Sequence, residues 1–494
     1  MTLTKILIWV AFYALILTLI VGFGFKKHRN WFMTYVQNYC GAFFLFSGWV
    51  KAVDPMGLAF KMADYFAAFE TTFSETWMSF ICPIFPALSS IKFGFATSMI
   101  VFELILGVML IIGSRSKFTI WSFGILVAFF TVLTGYTYLT GYVPSGTNFF
   151  SFSDWGAFKD SNMQVTDCGC FGDYLKLKPF TSFMKDVVLL FPAFYFLFRH
   201  KDMHQLFTPN IRLGLGISTL LISLVLCLSN YVWDIPNRDF RPFKKGVNVA
   251  ETKEAELGAI AAIPIIAYEL KSKATGEVTT IPYNQYIKDF KKYPKEDYEF
   301  EQVLGESTLE PTKISEYSIS DIDGVEITGD LLHNEKPSVM FVSYIVKGNG
   351  KKALRTVKDT LMSLDTIQTT TGTSKIEQTI DKIVLREEEY LDYVWDPDFF
   401  SDYADVIRPF AEAAQADGFH VYAVAGGADK NMLDQLKHDA GLNFEFYTAD
   451  DILLKTIVRS NPGTVLWKNG VILDKWHVDK LPDYEAVKSG HNLK

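Results

Sequence analysis

Residues 166–179 read TDCGCFGDYLKLKP, a polar stretch that sets two of the chain's five cysteines, Cys168 and Cys170, one glycine apart. On either side lie long apolar runs, roughly 118–140 and 180–199. A helix needs about 20 mostly apolar residues to cross the hydrocarbon of a bilayer, and both runs reach that length. Four more do so, at roughly 5–24, 33–53, 91–112 and 211–230. Composition agrees, since 49% of the 494 residues are hydrophobic, 15% are aromatic and the mean hydropathy is +0.15. That is too apolar for a soluble chain with ordinary loops. The six runs predict a membrane α-helical bundle over residues 1–230. The first run is followed by FKKHRN and shows no small-residue cleavage site, so it reads as a retained helix rather than a signal peptide.

Charge divides the chain. Residues 1–230 hold 16 Lys+Arg against 11 Asp+Glu, whereas residues 231–494 hold 31 against 44. A slightly basic membrane half followed by an acidic half argues against nucleic acid as a partner. Within the membrane half, the short loops 25–32, 113–117 and 199–212 carry eight Lys+Arg. The much longer loops 54–90 and 141–179 carry four. By the positive-inside rule the short loops face the cytoplasm. Six spans then leave both termini, the Cys168–Cys170 loop and the whole C-terminal half outside, which in a bacterial plasma (inner) membrane means the periplasm.

In an oxidising compartment such a pair tends toward a disulfide. Cysteines at i and i+2 close only a small ring with a kinked backbone, and Gly169 supplies the freedom to kink. A strained, accessible disulfide suits thiol exchange; a structural clip or two free thiols are the alternatives. A metal site lacks a second ligand pair, because His28, His200 and His204 fall on the cytoplasmic side.

The CGCFGD motif before a membrane helix, together with FLFSGWVKAVDP at 44–55, resembles the DoxX/MauE-like membrane proteins over about residues 33–200. The matching positions are Ser47, Gly48, Lys51, Asp54, Pro55, Cys168 and Cys170. The resemblance implies a four-helix membrane core linked to disulfide or quinone-coupled redox chemistry, with Cys168 and Cys170 as the catalytic pair and a thioredoxin-like partner. Cys82, on the outer loop, is the candidate resolving thiol. Cys40 and Cys227 lie inside helices and read as small apolar packing residues. Among in-span charges, Glu103 lies near mid-membrane, with Lys185 and Asp186 one to two turns in from the outer face. Lys51 with Asp186 is the expected ion pair. Glu103, Lys51 and Asp186 together form a candidate proton-relay or quinone head-group site, or else glue between helices.

Residues 231–317 open with a juxtamembrane segment containing Pro236 and Pro242 and continue as short pieces that suggest a small β-rich linker module. From 318 to 494 strands and helices alternate, predicting an α/β sheet flanked by helices. Its end, NPGTVLWKNGVILDKW, resembles the thioredoxin fold of the TlpA-like and peroxiredoxin-like branch. The resemblance puts a cis-proline at Pro462, a strand over Thr464–Trp467 and a turn at Asn469-Gly470. Where that family carries Cys-x-x-Cys this chain reads SYIVKGNG, and no cysteine follows Cys227. The resemblance therefore implies a fold without thiol exchange, leaving Pro462, Thr464 and Trp467 as a polypeptide-docking groove. The acidic stretch 386–403 reads as a docking face or a solvated surface helix and loop.

Two functions follow. One is a membrane redox component that exchanges disulfides with extracytoplasmic proteins through Cys168 and Cys170, with quinone as the electron partner and no metal. The other is a non-catalytic membrane-anchored scaffold or assembly factor.

Overall fold

Polar caps set where the N-terminal helices begin. The Asn30 side chain accepts from Met33 N–H (3.0 Å) at the start of α2 (Trp31–Val53), and Asp54 accepts from Gly57 N–H (3.1 Å) at the start of α3 (Pro55–Ser74). The computed structural model describes residues 2–165, 169–305, 307–368 and 374–493, and falls into two units, Met1–Arg241 and Pro242–Lys494.

The first unit is helical. With α1 (Leu3–Leu19, continued by a π-helical turn to Gly24) and the two helices above come α4 (Ile84–Ser90), α5 (Lys92–Ile112), α6 (Ser116–Thr140), α7 (Pro179–Arg199) and α8 (Pro209–Ser229). Five helical segments among the described residues are long and apolar enough to cross a membrane: Leu3–Gly24, Lys92–Ile112, Ser116–Thr140, Pro179–Asp202 and Pro209–Ser229. The expected sixth, α2, has the length at 23 residues but not the composition. It is the interior helix, and its buried face carries Gln37, Asn38, Ser47 and Lys51. The expected loop 54–90 is also corrected, because most of it is helical. Met56, Ala59, Met62, Tyr65 and Phe66 recur at helical spacing and are buried, while Lys61, Asp64 and Glu70 lie off that stripe. This face of α3 packs on α5 and the end of α6, with Tyr65 Oη 2.6 Å from Thr137 Oγ1.

The second unit opens by adding chain to a sheet edge. Gly246 N–H donates to Ile472 O (2.8 Å) and Val249 N–H to Gly470 O (2.7 Å), after which α9 (Val249–Ala261) begins. Three antiparallel strands follow, β1 (Ile265–Ser272), β2 (Val278–Pro282) and β3 (Tyr298–Leu304), in the order β2-β1-β3. The main sheet is built from β4 (Ser338–Ser343), β7 (His420–Ala425), β8 (Glu445–Thr448), β9 (Gly463–Lys468) and β10 (Val471–His477), in the order β10-β9-β4-β7-β8. Strands β4, β7 and β8 run parallel and β9 is antiparallel to both its neighbours, so the sheet is mixed. The β9–β10 turn has φ +50° at Asn469 and +72° at Gly470, the left-handed pair that an Asn-Gly hairpin requires.

Between β4 and β7 the chain runs out and back as an antiparallel ribbon, β5 (Gly348–Gln368) with β6 (Ser374–Trp395). At ~3.3 Å per residue its strands extend about 70 Å. The surface helix and loop expected over 386–403 is thus corrected: Arg386–Trp395 is strand, and helical structure starts at Pro397. Opposite charges meet across the ribbon, Arg355 directly opposite Glu388 (3.2 Å) and Lys352 diagonally to Glu389 (3.6 Å), which favours strand over helix.

Candidate functional site

Helices α2 and α5 approach closely because glycine faces the partner on both sides. A Cβ at Gly48 would sit 2.9 Å from Leu104 side-chain carbons, and one at Gly107 would sit 3.0 Å from Leu45 N. This contact brings Lys51 to Glu103. Lys51 Nζ donates to Glu103 Oε2 at 2.6 Å, both side chains are 3% exposed, and the ammonium lies 4.6 Å from the centre of the Phe130 ring. A second buried pair lies on α7, where Lys185 Nζ donates to Asp186 Oδ1 and Thr134 Oγ1 donates to Asp186 Oδ2 at 3.0 Å. The expected Lys51–Asp186 pair is therefore corrected. The α2–α5 contact takes Lys51 to Glu103, and Asp186 is satisfied from its own helix and from α6.

The polar loop reaches this cluster. Gly169 has φ +61°, and a Cβ there would come 3.2 Å from Lys61 Cγ, so the turn and the close passage over α3 both favour glycine. Ser47 Oγ donates to Cys170 O (3.3 Å), and Phe171 is 1% exposed against Phe43 and Phe46. Lys185 Nζ is 5.9 Å from the ring centres of both Phe43 and Phe171. Residues 170–171 thus dip among the helices beside the ion pairs.

Each pair carries no net charge. Moving one proton across its hydrogen bond converts it to two neutral groups, so proton movement here adds no net charge to the interior. Removing either partner would strand a charge where water cannot solvate it.

Cys170 and Cys82 differ from expectation. Cys168 lies outside the described residues. Cys170 is buried at 7% exposed, not accessible. Cys82 Sγ donates to Glu70 O (3.7 Å), whereas the Cys170 loop passes α3 at Lys61. Those α3 positions are nine residues apart, about 13 Å along a helix. A disulfide needs Cβ atoms about 4 Å apart, so this geometry does not place Cys82 to resolve a bond to Cys170. Cys40 and Cys227 are buried packing residues. Among the described residues no group of three or more His, Cys, Asp or Glu is arranged to hold a metal ion. Sequence reading missed Thr134 and Phe130. The signal for the first is a stripe of threonines at 131, 134, 137 and 140, all on α6.

In the second unit the Asn461–Pro462 peptide is cis. Asn461 Nδ2 donates to Ile345 O (2.9 Å) and Asn461 Oδ1 accepts from Ile345 N–H (3.2 Å), tying this turn to the segment after β4. Beneath that segment the Ser343 and Tyr403 hydroxyls are 2.8 Å apart and both residues are fully buried. Burial pushes the Tyr403 hydroxyl well above its usual range, so it stays neutral. Pro462, Thr464 and Trp467, expected to dock a partner, are all buried, and β9 has sheet neighbours on both sides. The exposed groups beside the cis peptide are instead Ile345 and part of Asn461.

No family model, curated protein or solved structure matches the chain.

Proposed function

We propose that the chain is a thiol–disulfide redox component of a bacterial plasma membrane, with the Cys168–Cys170 loop and the Pro242–Lys494 unit on the extracytoplasmic side. The observation that carries this reading is the Ser47 hydrogen bond to Cys170, which holds a sulfur-bearing loop beside two buried proton-exchangeable pairs. The DoxX/MauE-like resemblance is supported by the work its motif positions do here. Gly48 permits the α2–α5 contact, Ser47 holds the loop, Lys51 pairs with Glu103 and Asp54 caps α3. A thioredoxin-like reading of the second unit is supported by its sheet order and its cis Asn461–Pro462. Without cysteines that unit docks protein at the Ile345–Asn461 surface and does not exchange thiols.

In the reaction, a partner thiolate attacks one sulfur of the Cys168–Cys170 disulfide, forming a mixed disulfide and releasing the other as a thiolate. The partner's second thiolate then attacks the partner sulfur of the mixed disulfide, forming the partner's own disulfide and releasing the remaining cysteine of the pair as a thiolate. The partner loses two electrons and two protons, and Cys168 and Cys170 gain both. A quinone, when bound, would supply a two-electron, two-proton acceptor for the Cys168–Cys170 dithiol. A cavity of about 380 Å³ with Phe69, Tyr136, Phe149 and Phe183 in its lining offers aromatic walls for such a ring. These residues would hold the ring, and the Lys185–Asp186 and Lys51–Glu103 pairs move protons near the loop.

Single Cys168→Ser and Cys170→Ser variants should trap mixed-disulfide adducts, resolved on non-reducing gels, and the double variant should trap none. Absence of adducts from both singles overturns the redox reading. A scaffold function would then stand, a reading that the burial of Cys170 and the distance of Cys82 independently favour.

A further inference from the structure

The inner ends of α5, α6 and α8 enclose a cavity of about 1170 Å³ that the redox reading does not use. Its mouth carries five cations, Arg29, Arg115, Lys117, Lys201 and Arg212, with His200 beside them, and its lining contains no carboxylate. None of the five forms an ion pair among the described residues. Two of their nitrogens do meet main-chain carbonyls: Arg29 Nη1 donates to Lys201 O and Arg212 Nη1 to Gly113 O (3.0 Å). Arg212 Nε and His200 Nε2 are buried without a hydrogen-bond partner. The mouth also holds the start of α6, whose N-cap residue Arg115 offers no side-chain acceptor to the first-turn N–H groups. Cations, unpaired buried donors and an uncapped helix start all favour an oxyanion.

The walls decide what carries that anion. Ile105 and Met109 on α5 face Leu213, Ile217 and Leu220 on α8. Leu220 lies eleven residues beyond Pro209, about 16 Å along a helix. That is roughly half of a ~30 Å hydrocarbon core, the depth of one leaflet. A free phosphate would leave those walls unfilled, whereas the acyl chains of a phospholipid would cover them.

We propose that this cavity is a binding site for an anionic phospholipid of the cytoplasmic leaflet. The phosphate lies among Arg115, Lys117, Arg212 and the α6 N-terminus, and the chains lie between α5 and α8. The site rests on the membrane reading of the helices and is independent of the cysteine chemistry.

The test uses the purified full chain in neutral detergent with equimolar phosphatidylglycerol and phosphatidylcholine, read by native mass spectrometry. Bound phosphatidylglycerol should exceed phosphatidylcholine at least fivefold, and Arg115→Gln/Arg212→Gln should bring the ratio near one. Gly216→Leu projects into the cavity from a position where an added Cβ meets nothing within 4 Å, so it should displace the lipid without disturbing the fold. Unchanged unfolding midpoints in phosphatidylcholine alone verify that both variants are folded. A ratio near one in the parent chain, or a preference that survives both variants, overturns the proposal. Inorganic phosphate that displaces phosphatidylglycerol and binds Gly216→Leu equally well would show a soluble-anion site and also overturn it.

Discussion

The two units bury charge in different ways. In the helical unit Lys51 and Lys185 meet carboxylates, groups that can take the proton from them. In the α/β unit the buried Lys475 donates to the main-chain carbonyls of Phe243 (2.5 Å) and Ile457 (2.9 Å). The first arrangement can store and move a proton; the carbonyl contacts of the second pin the chain entering the unit against β10. A buried lysine is therefore informative only once its acceptors are known.

Breaking the first arrangement should have the largest effect. Lys51→Met leaves Glu103 buried and unpaired, which costs about 3–5 kcal/mol in soluble proteins, and should show as a large drop in unfolding midpoint in detergent. Adding Glu103→Leu removes the stranded charge and should restore at least half of the loss. If the restored double variant also keeps full disulfide exchange with its partner, the pair is glue. Loss of exchange in a stable double variant identifies it as part of the proton path.

Lys475→Met tests the other side of the comparison. Losing the hydrogen bonds to Phe243 O and Ile457 O should cost at least about 2–3 kcal/mol, measured by denaturant unfolding, and should leave disulfide exchange by the helical unit unchanged. Loss of exchange without loss of stability would contradict a purely structural role. Tyr403→Phe removes the hydroxyl that Ser343 meets beneath the cis peptide and should cost about 1–2 kcal/mol. A neutral result would mean that Ser343 finds another partner.

Local signals were the most legible in the sequence. The apolar runs fall on helices, Asn469-Gly470 forms the left-handed turn, and Gly169 takes positive φ. Partnerships across the fold were less legible. Nothing local to Lys51 distinguishes Glu103 from Asp186 as its partner, since the choice depends on how Gly48 and Gly107 let two helices approach. The α3 helix went unread because its stripe is broad and mixed with Lys61, Asp64 and Glu70, which resemble loop composition. The β5–β6 ribbon pairs only with itself among the described residues, so it lacks the apolar alternation that a core-facing strand displays. Thr464 and Trp467 are expected at a docking groove from their place near Pro462, but the face that carries Trp467 is covered by Tyr317 and Tyr422, packing that the local motif does not encode.

The pH-dependent effect concerns a carboxylate that burial and like charges disfavour in the α/β unit. Asp402, half-buried at the start of a π-helical turn, has its pKa raised from 3.8 to about 6 by burial first and then by Asp479, Asp398 and Asp396, with Lys347 opposing. Below pH 4 the carboxyl is protonated in the folded and unfolded chains alike, so its ionisation makes no difference to stability. Between pH 4 and 6 the unfolded chain ionises while the folded one still holds the proton, and stability falls as pH rises. Above about pH 6 the penalty is constant. Asp402→Asn cannot ionise and should therefore unfold at higher denaturant than the parent at pH 7, with the gap closing as pH is lowered toward 4. A gap of the same size at both ends of that range would mean that the amide acts through its hydrogen bonds and not through the charge.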